Sequence, residues 1–224
     1  MGTNQDTKGL MPETVPVDPD PDREAALVDQ LNRGEGNLVN VAVELADLCG
    51  RTGRQQFAIS HLERVANALS DSDARAYFRL LCGQMMEQAR DYESARDYYE
   101  RGLAEPTNPA YTRYFLHNNL GFCLNELGRH KEAESHCHEA VEIAPKYHNA
   151  YKNLAIALEY MNDWPGAAFH FAAAAQLAPI DRRALMHLNT LLEAHPEVYE
   201  AVEDLRSWHE ELLSHDRNLR ERMN

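Results

Sequence analysis

The sequence has 224 residues, of which 36 are acidic and 22 basic, and a formal net charge of -14. A chain of this length can bury a continuous core without disulfides, and its acidity disfavours nonspecific binding to nucleic acid or to anionic lipid. No segment approaches the roughly 20 apolar residues that span a bilayer. The four cysteines form no CxxC pair, as expected in a reducing compartment. We therefore expect a cytoplasmic protein with no nucleic acid partner and no membrane insertion.

The chain begins with an acidic segment that is rich in proline. Its prolines are Pro12, Pro16, Pro19 and Pro21. Such a composition offers too little apolar surface to offset the entropy lost on ordering, so the sequence predicts a disordered arm over 1–22. The residues REAALVDQLNR follow, and they predict a short helix ended by Gly34, with a connection completing 23–38.

A period of 34 residues then relates 114–147 to 148–181. Eight pairs of matching positions share one register: Leu120 and Leu154, Gly121 and Ala155, Leu124 and Leu158, His130 and Trp164, Ala133 and Ala167, Cys137 and Phe171, Ala140 and Ala174, Pro145 and Pro179. Eight matches in one register are hard to obtain by chance. The two segments are therefore interpreted as copies of one structural unit.

Weaker copies of the same unit flank this pair. Two lie upstream, near 39–75 and 76–113, and the second ends in EPTNPAY, with about four extra residues. A degenerate copy covers 182–215, where Pro196 is predicted to begin the last helix. The remaining residues, 216–224, are predicted to form a polar tail.

These residues resemble the tetratricopeptide repeat family, whose unit is a 34-residue helix-turn-helix with small residues at the eighth and twentieth positions and proline near the end. The resemblance implies an all-α protein, a right-handed α-solenoid of stacked repeats closed by a C-terminal capping helix. In that arrangement Gly121 and Ala133 lie where the two helices of one unit cross closely. Trp208 stands where interior units carry a small residue, so it is expected to prevent a further repeat from stacking.

The repeat register assigns one set of side chains to the concave surface, which the first helix of each unit lines. The predicted peptide-binding residues are Asn118, Asn119, Phe122, Asn125, Asn149, Lys152, Asn153, Ile156, Tyr160, Arg183 and His187. An asparagine amide offers both a donor and an acceptor, and Asn119 with Asn153 resembles the asparagine ladder by which some members of the family bind a peptide backbone. The alternative is that these asparagines only solvate the groove. The family's carboxylate clamp is matched by Asn153 and Arg183 alone, which does not favour a clamp.

The most metal-like cluster in the sequence is formed by His136, Cys137 and His138. Consecutive residues of a helix are about 100° apart, so the two histidines diverge by about 200° and do not grip one ion together. No glycine-rich phosphate loop, HExxH or GxSxG motif is present. We therefore expect no catalytic residue, no metal site and no cofactor.

The sequence thus predicts a scaffold or adaptor for protein–protein interaction, not an enzyme. Its partner would be a protein whose peptide segment or helix lies in the concave groove. The alternative is a chaperone or assembly factor of a multiprotein complex that acts partly through self-association, as a homo-oligomer. The sequence does not identify the partner.

Overall fold

A computed structural model describes residues 20–106 and 109–223, and all regular secondary structure in these two ranges is α-helical. The helices are α1 (Pro21–Arg33), α2 (Leu38–Arg51), α3 (Gln55–Ala68), α4 (Ser72–Gln88), α5 (Tyr92–Leu103), α6 (Ala110–Glu126), α7 (His130–Ile143), α8 (His148–Tyr160), α9 (Trp164–Leu177), α10 (Arg183–Ala194), α11 (Val198–Ala201) and α12 (Leu205–Met223). None of them has the length and hydropathy needed to cross a membrane.

The helices from α2 to α9 form four helical hairpins that stack in chain order. Each first helix packs on its own second helix, and each second helix packs on the first helix of the next hairpin. The first helices α2, α4, α6 and α8 also contact one another in sequence, so they form a continuous inner layer. The predicted all-α solenoid is therefore confirmed. The division of the chain into repeat units at the stated residues stays a prediction.

One turn geometry recurs inside the four hairpins. Two residues before each second helix, one residue has a positive φ: Gly53, Arg90, Gly128 and Asn162. In two hairpins an aspartate then caps the second helix, with the Asp91 side chain accepting from Ser94 N and that of Asp163 accepting from Gly166 N. The reversal is therefore encoded locally in each unit, and it returns the chain antiparallel to the first helix.

Small residues allow the two helices of a hairpin to approach closely. A Cβ atom added at Gly121 would collide with Cys137 Sγ, and it would also lie near the carbonyl oxygen of Ala133. At the equivalent place in the preceding hairpin, a Cβ atom on Gly83 would collide with the ring of Tyr99. The close crossing predicted for Gly121 and Ala133 is thus confirmed, and it explains why large side chains are excluded there.

The N-terminal end differs from the sequence-based expectation. Residues 1–19 of the predicted arm lie outside the described residues, whereas the last two residues of that arm begin α1 instead of remaining irregular. The reason is local, because the Asp20 side chain accepts from Arg23 N and Pro21 starts the first turn. Leu27 and Leu31 of this helix are buried against the first hairpin.

The C-terminal end also differs. In place of one helix from Pro196, a single turn (α11) ends before Asp204, whose φ of 62° interrupts the helix, and α12 then runs to Met223. Residues 216–223, predicted as a polar tail, are therefore helical. Asp216 explains this extension, since its carboxylate is 6% exposed and forms ion pairs with Arg182 at 2.6 Å and Arg220 at 2.9 Å. The capping helix α12 packs on α9.

Candidate protein-binding groove

Two adjoining surface cavities lie on the face formed by α6, α8 and α10, and together they form one groove. The larger, of about 790 Å³, is lined by Asn125, Glu126, Ile156, Glu159, Tyr160, Asn162, Trp164, His187, Thr190, Leu191, Ala194 and His195. The smaller, of about 400 Å³, is lined by Phe122, Lys152, Asn153, Ile156, Arg183, Met186, His187 and Thr190. We call the larger the acidic cavity, after its two glutamates, and the smaller the basic cavity, after its lysine and arginine.

Helical periodicity explains why these side chains meet. On α8, Lys152, Ile156 and Glu159 follow the spacing i, i+4, i+7, which places them on one face of the helix. On α10, the side chains at 183, 187 and 190 repeat that spacing. Because α10 packs on α9 after the last hairpin, its face adjoins that of α8, and the two cavities share Ile156, His187 and Thr190.

The basic cavity contains one cation that lacks a counter-ion. Arg183 is bound by the carboxylate of Asp181, with nitrogen–oxygen distances of 2.6 and 2.8 Å, so its charge is largely neutralised. The ammonium group of Lys152 makes no hydrogen bond or ion pair within the described chain. Burial, followed by the nearby Arg183, lowers the pKa of Lys152. Lys152 is therefore a half-buried positive charge in the basic cavity, and Asp181, which is already bound to Arg183, compensates it less than burial and Arg183 disfavour it.

The acidic cavity contains two carboxylates, of which Glu159 is half-buried and Glu126 is exposed. Neither Glu126 nor Glu159 forms a hydrogen bond or an ion pair with any other described residue. Burial raises the pKa of Glu159, and the opposing effect of His195 is smaller. A cation placed beside Glu159 would therefore meet a partly desolvated negative charge, which strengthens the attraction relative to that in open water.

Aromatic rings form the walls of the acidic cavity. His130 stacks on Tyr160 with ring centroids 4.3 Å apart, and Trp164 stacks on His195 at 4.1 Å. The ring of Tyr160 is nevertheless 66% exposed. Stacking holds these rings in place while leaving apolar surface open to solvent. Aromatic side chains of this kind are enriched at protein interfaces.

Three of the predicted asparagines are more deeply buried than a column of exposed side chains would be. Asn118, Asn125 and Asn153 are buried between α6 and α8, although Asn125 lines the acidic cavity and Asn153 the basic cavity. The Asn153 Nδ2 donates to Asn118 Oδ1 at 3.2 Å, and the Asn125 Nδ2 donates to the backbone oxygen of Asn153 at 2.8 Å. These amides join neighbouring repeats, because the first helices pack too closely to leave them in solvent. The Asn153 Nδ2 is thus already engaged, and the asparagine ladder stays a prediction.

The other assigned residues occupy varied positions. Asn119 is half-buried, accepts from Asn118 Nδ2 and donates to Tyr99 Oη at 3.5 Å. Phe122 lines the basic cavity, and its ring packs edge-on against Tyr92. Asn149 lies in the first turn of α8 and lines neither cavity.

His187 lines both cavities and stacks on Phe171, with ring centroids 5.1 Å apart. The lining residues that sequence reasoning omitted include Met186, Thr190, Trp164 and His195. The first two could have been found by extending the spacing from Arg183 along α10. The other two come from the start of a second helix and the end of α10, and the repeat register gave no signal for them.

The histidine and cysteine cluster is divided among different neighbours. His136 Nδ1 lies 3.1 Å from His117 Nδ1, whereas His138 faces His170 with ring centroids 6.4 Å apart. Between them, Cys137 is fully buried, and burial raises the pKa of its thiol to about 12. Within 20–106 and 109–223, no three His, Cys, Asp or Glu side chains are arranged to hold a metal ion.

Comparison with known proteins fits this architecture. The family model described as the tetratricopeptide repeat matches residues 113–179, which include the stretch with the clearest 34-residue period. Residues 113–179 therefore belong to the tetratricopeptide repeat family. One relative of this repeat protein is the TPR repeat-containing thioredoxin TTL4 of Arabidopsis thaliana, which is 28% identical over 178 residues. The match covers 79% of this chain but 22% of the relative, so the chain spans less than a quarter of that protein.

Solved structures show the same fold. BtubC (BKLC) from P. vanneervenii superimposes with a TM-score of 0.71 at 19% identity, covering 91% of this tetratricopeptide repeat chain and 92% of that one. The first TPR of Spaghetti (RPAP3), solved bound to the HSP90 peptide SRMEEVD, has a TM-score of 0.51 at 22% identity. That match covers 55% of this chain and 94% of the other. At these identities the similarity establishes the solenoid fold.

Proposed function

We propose that this chain is a protein–protein interaction scaffold that holds a segment of a partner protein in the groove formed by the acidic and basic cavities. The observation that carries the proposal is a continuous groove in which Lys152, Glu126 and Glu159 line the cavities and form no hydrogen bond or ion pair with a described residue. The RPAP3 repeat, solved with a bound peptide, supports the proposal because it has the same fold.

The groove also offers apolar contact area. Tyr160 and Met186 are 66% and 60% exposed, and the half-buried Ile156 lies between them on the groove floor. Burying such side chains under a partner contributes about 25 cal/mol per Å² of apolar surface. Affinity would come from these contacts, whereas the unpaired charges would determine which partner is selected.

We propose that Asn119 extends the groove toward the preceding hairpin. Its amide lies beside the hydroxyl of Tyr99, which donates to Glu87 at 2.7 Å, so a row of polar groups continues from the cavities along α4 and α6. Asn149 is proposed to contact a longer partner segment at the start of α8. The proposal assigns no reaction and no cofactor to the chain. It places the protein in the cytoplasm, consistent with four free, buried cysteines.

The second candidate, an assembly factor that self-associates, is favoured by a different surface. Tyr111, Tyr147 and Ile180 lie at the starts of α6, α8 and α10, on the edge where one hairpin connects to the next. They are 60%, 46% and 84% exposed, so three large apolar side chains are open to solvent along this edge. A molar mass that increases with protein concentration in light scattering, without a partner, would favour this candidate.

The scaffold is tested by filling the groove. Thr190 is exposed on α10 and lines both cavities, so Thr190→Trp should occupy the groove without disturbing the core. In affinity purification from cell lysate, we expect at least a tenfold loss of captured partner with Thr190→Trp. The matched control is Ser135→Trp, an exposed position on α7 outside both cavities, which should capture as the unchanged chain does. Equal capture by Thr190→Trp, with unchanged circular dichroism, would place the interaction elsewhere.

A further inference from the structure

We propose that the groove selects an extended partner segment carrying one acidic and one basic side chain three residues apart, with the acidic side chain at Lys152 and the basic side chain at Glu126 and Glu159. This inference rests on the proposed function, because it names the chemistry of the segment that the groove would hold. It follows from the separation of opposite charges along a single helix face.

The spacing comes from helix geometry. Lys152 and Glu159 are seven residues apart on α8, and a rise of 1.5 Å per residue separates them by about 10 Å along the helix axis. An extended chain of the polyproline II type advances about 3.1 Å per residue with three residues per turn. Its residues i and i+3 therefore point to the same side and lie about 9 Å apart. Ile156, between the two charges, offers an apolar contact to the residues in the middle of such a segment.

The direction of the bound segment depends on which charges of the groove already have an ion-pair partner. At the basic end, Asp181 holds Arg183 in a bidentate ion pair, so Lys152 is the cation left for a partner carboxylate. At the acidic end, Glu126 and Glu159 form no hydrogen bond or ion pair with a residue that the structure describes, although Arg90 lies near enough to attract Glu126. Each of these charges is attracted to an opposite charge in the partner, and the reversed orientation would place like charges together.

The charge of the whole protein makes this arrangement selective. The net charge of -14 attracts basic segments to any part of the surface and repels acidic ones. Lys152 is a local exception to this field. A partner with only basic residues would satisfy the acidic cavity but leave Lys152 unpaired. A segment with both charges compensates both cavities, which gives the partner a fixed direction in the groove.

The experiment is selection from a phage-displayed library of random dodecapeptides on the full chain. The charge-swapped variant combines Lys152→Glu with Glu159→Lys, and it keeps the net charge and the groove shape. On the unchanged chain, we expect enriched peptides to carry acidic and basic residues three positions apart in one preferred order. On the charge-swapped variant, the preferred order should be reversed. A peptide selected on the unchanged chain should bind Lys152→Ala about tenfold more weakly in calorimetric titration.

The outcomes separate this inference from the proposed function. Peptides that lose binding to Thr190→Trp but lack the charge pair, or keep their order on the charge-swapped variant, would overturn the inference and leave the groove as the binding site. A charge pair seven positions apart would indicate a helical segment and would also overturn it. Peptides that bind Thr190→Trp as well as the unchanged chain, or no enrichment at all, would contradict both proposals. If peptides were enriched only after residues 1–19 had been deleted, those residues would be the segment that occupies the groove. This result would overturn the inference that the groove selects an external partner.

Discussion

Replacing Ala167 with leucine should lower the free energy of unfolding by about 1 to 3 kcal/mol. Ala167 is fully buried in α9, within the core cluster that contains Leu154, Leu158 and Phe171. Three additional carbon atoms have no free volume there, so neighbouring side chains must leave their preferred rotamers or the two helices of the hairpin must separate. Ala133, at the equivalent place in the preceding hairpin and also fully buried, should respond in the same way.

The matched control for this prediction is Ala26→Leu, the same substitution at an exposed position in the middle of α1. It should change the free energy of unfolding by no more than about 0.5 kcal/mol. Urea denaturation followed by circular dichroism measures both variants. Equal stabilities of Ala167→Leu and Ala26→Leu would show that the second helix does not pack where the 34-residue register places it.

Acidification from pH 7 to pH 5 should lower the free energy of unfolding by about 2 to 4 kcal/mol. Burial, followed by a neighbouring histidine, lowers the pKa of His117 and of His170 from 6.5 to about 4. Between these values the unfolded chain takes up protons that the folded chain does not, so stability is fully present above pH 6.5 and is lost as the pH falls toward 4. At pH 5 each histidine therefore lowers the free energy of unfolding by about 1 to 2 kcal/mol, after allowance for partial solvent exposure.

The neighbours of these two histidines reinforce the effect. His117 faces His136 and Arg113, with Glu139 acting in the opposite sense, and His170 faces His138, opposed by Asp163. The double variant His117→Gln with His170→Gln should therefore make unfolding by urea much less dependent on pH between 7 and 5. His215→Gln, at an exposed position, is the matched control and should keep the full dependence. If the free energy of unfolding of the double variant depended on pH as steeply as that of the unchanged chain, His117 and His170 would not be the source of the pH dependence.

The fold could be predicted from the sequence because its determinants repeat. Gly121 and Ala155 appear 34 residues apart, as do Ala133 and Ala167, and each unit must bury the same face, so the spacing alone defines the hairpin and its stacking. The C-terminal cap lacks this redundancy. Its helix break at Asp204 depends on one backbone conformation, for which no repeated position provides a comparison.

The site could be predicted only in part, because the register gives the direction of a side chain but not its depth. Asn153 lines the basic cavity, yet the close approach of α6 and α8 buries it against Asn118. Similarly, the sequence identifies Lys152 and Arg183 as neighbouring cations but does not show that Asp181 neutralises one of them. Which charges remain unpaired depends on distances between helices, and these distances determine how the groove can bind.

The concave groove as the site of partner binding is tested most directly by photo-crosslinking. A photoreactive amino acid is placed at Thr190, inside the groove, or at Ser135, on the exposed surface of α7, and each protein is irradiated with the partner recovered by affinity purification. We predict crosslinks to the partner from position 190 and none from position 135. Crosslinks from position 135 with none from position 190 would contradict the account and place the binding surface on the second helices.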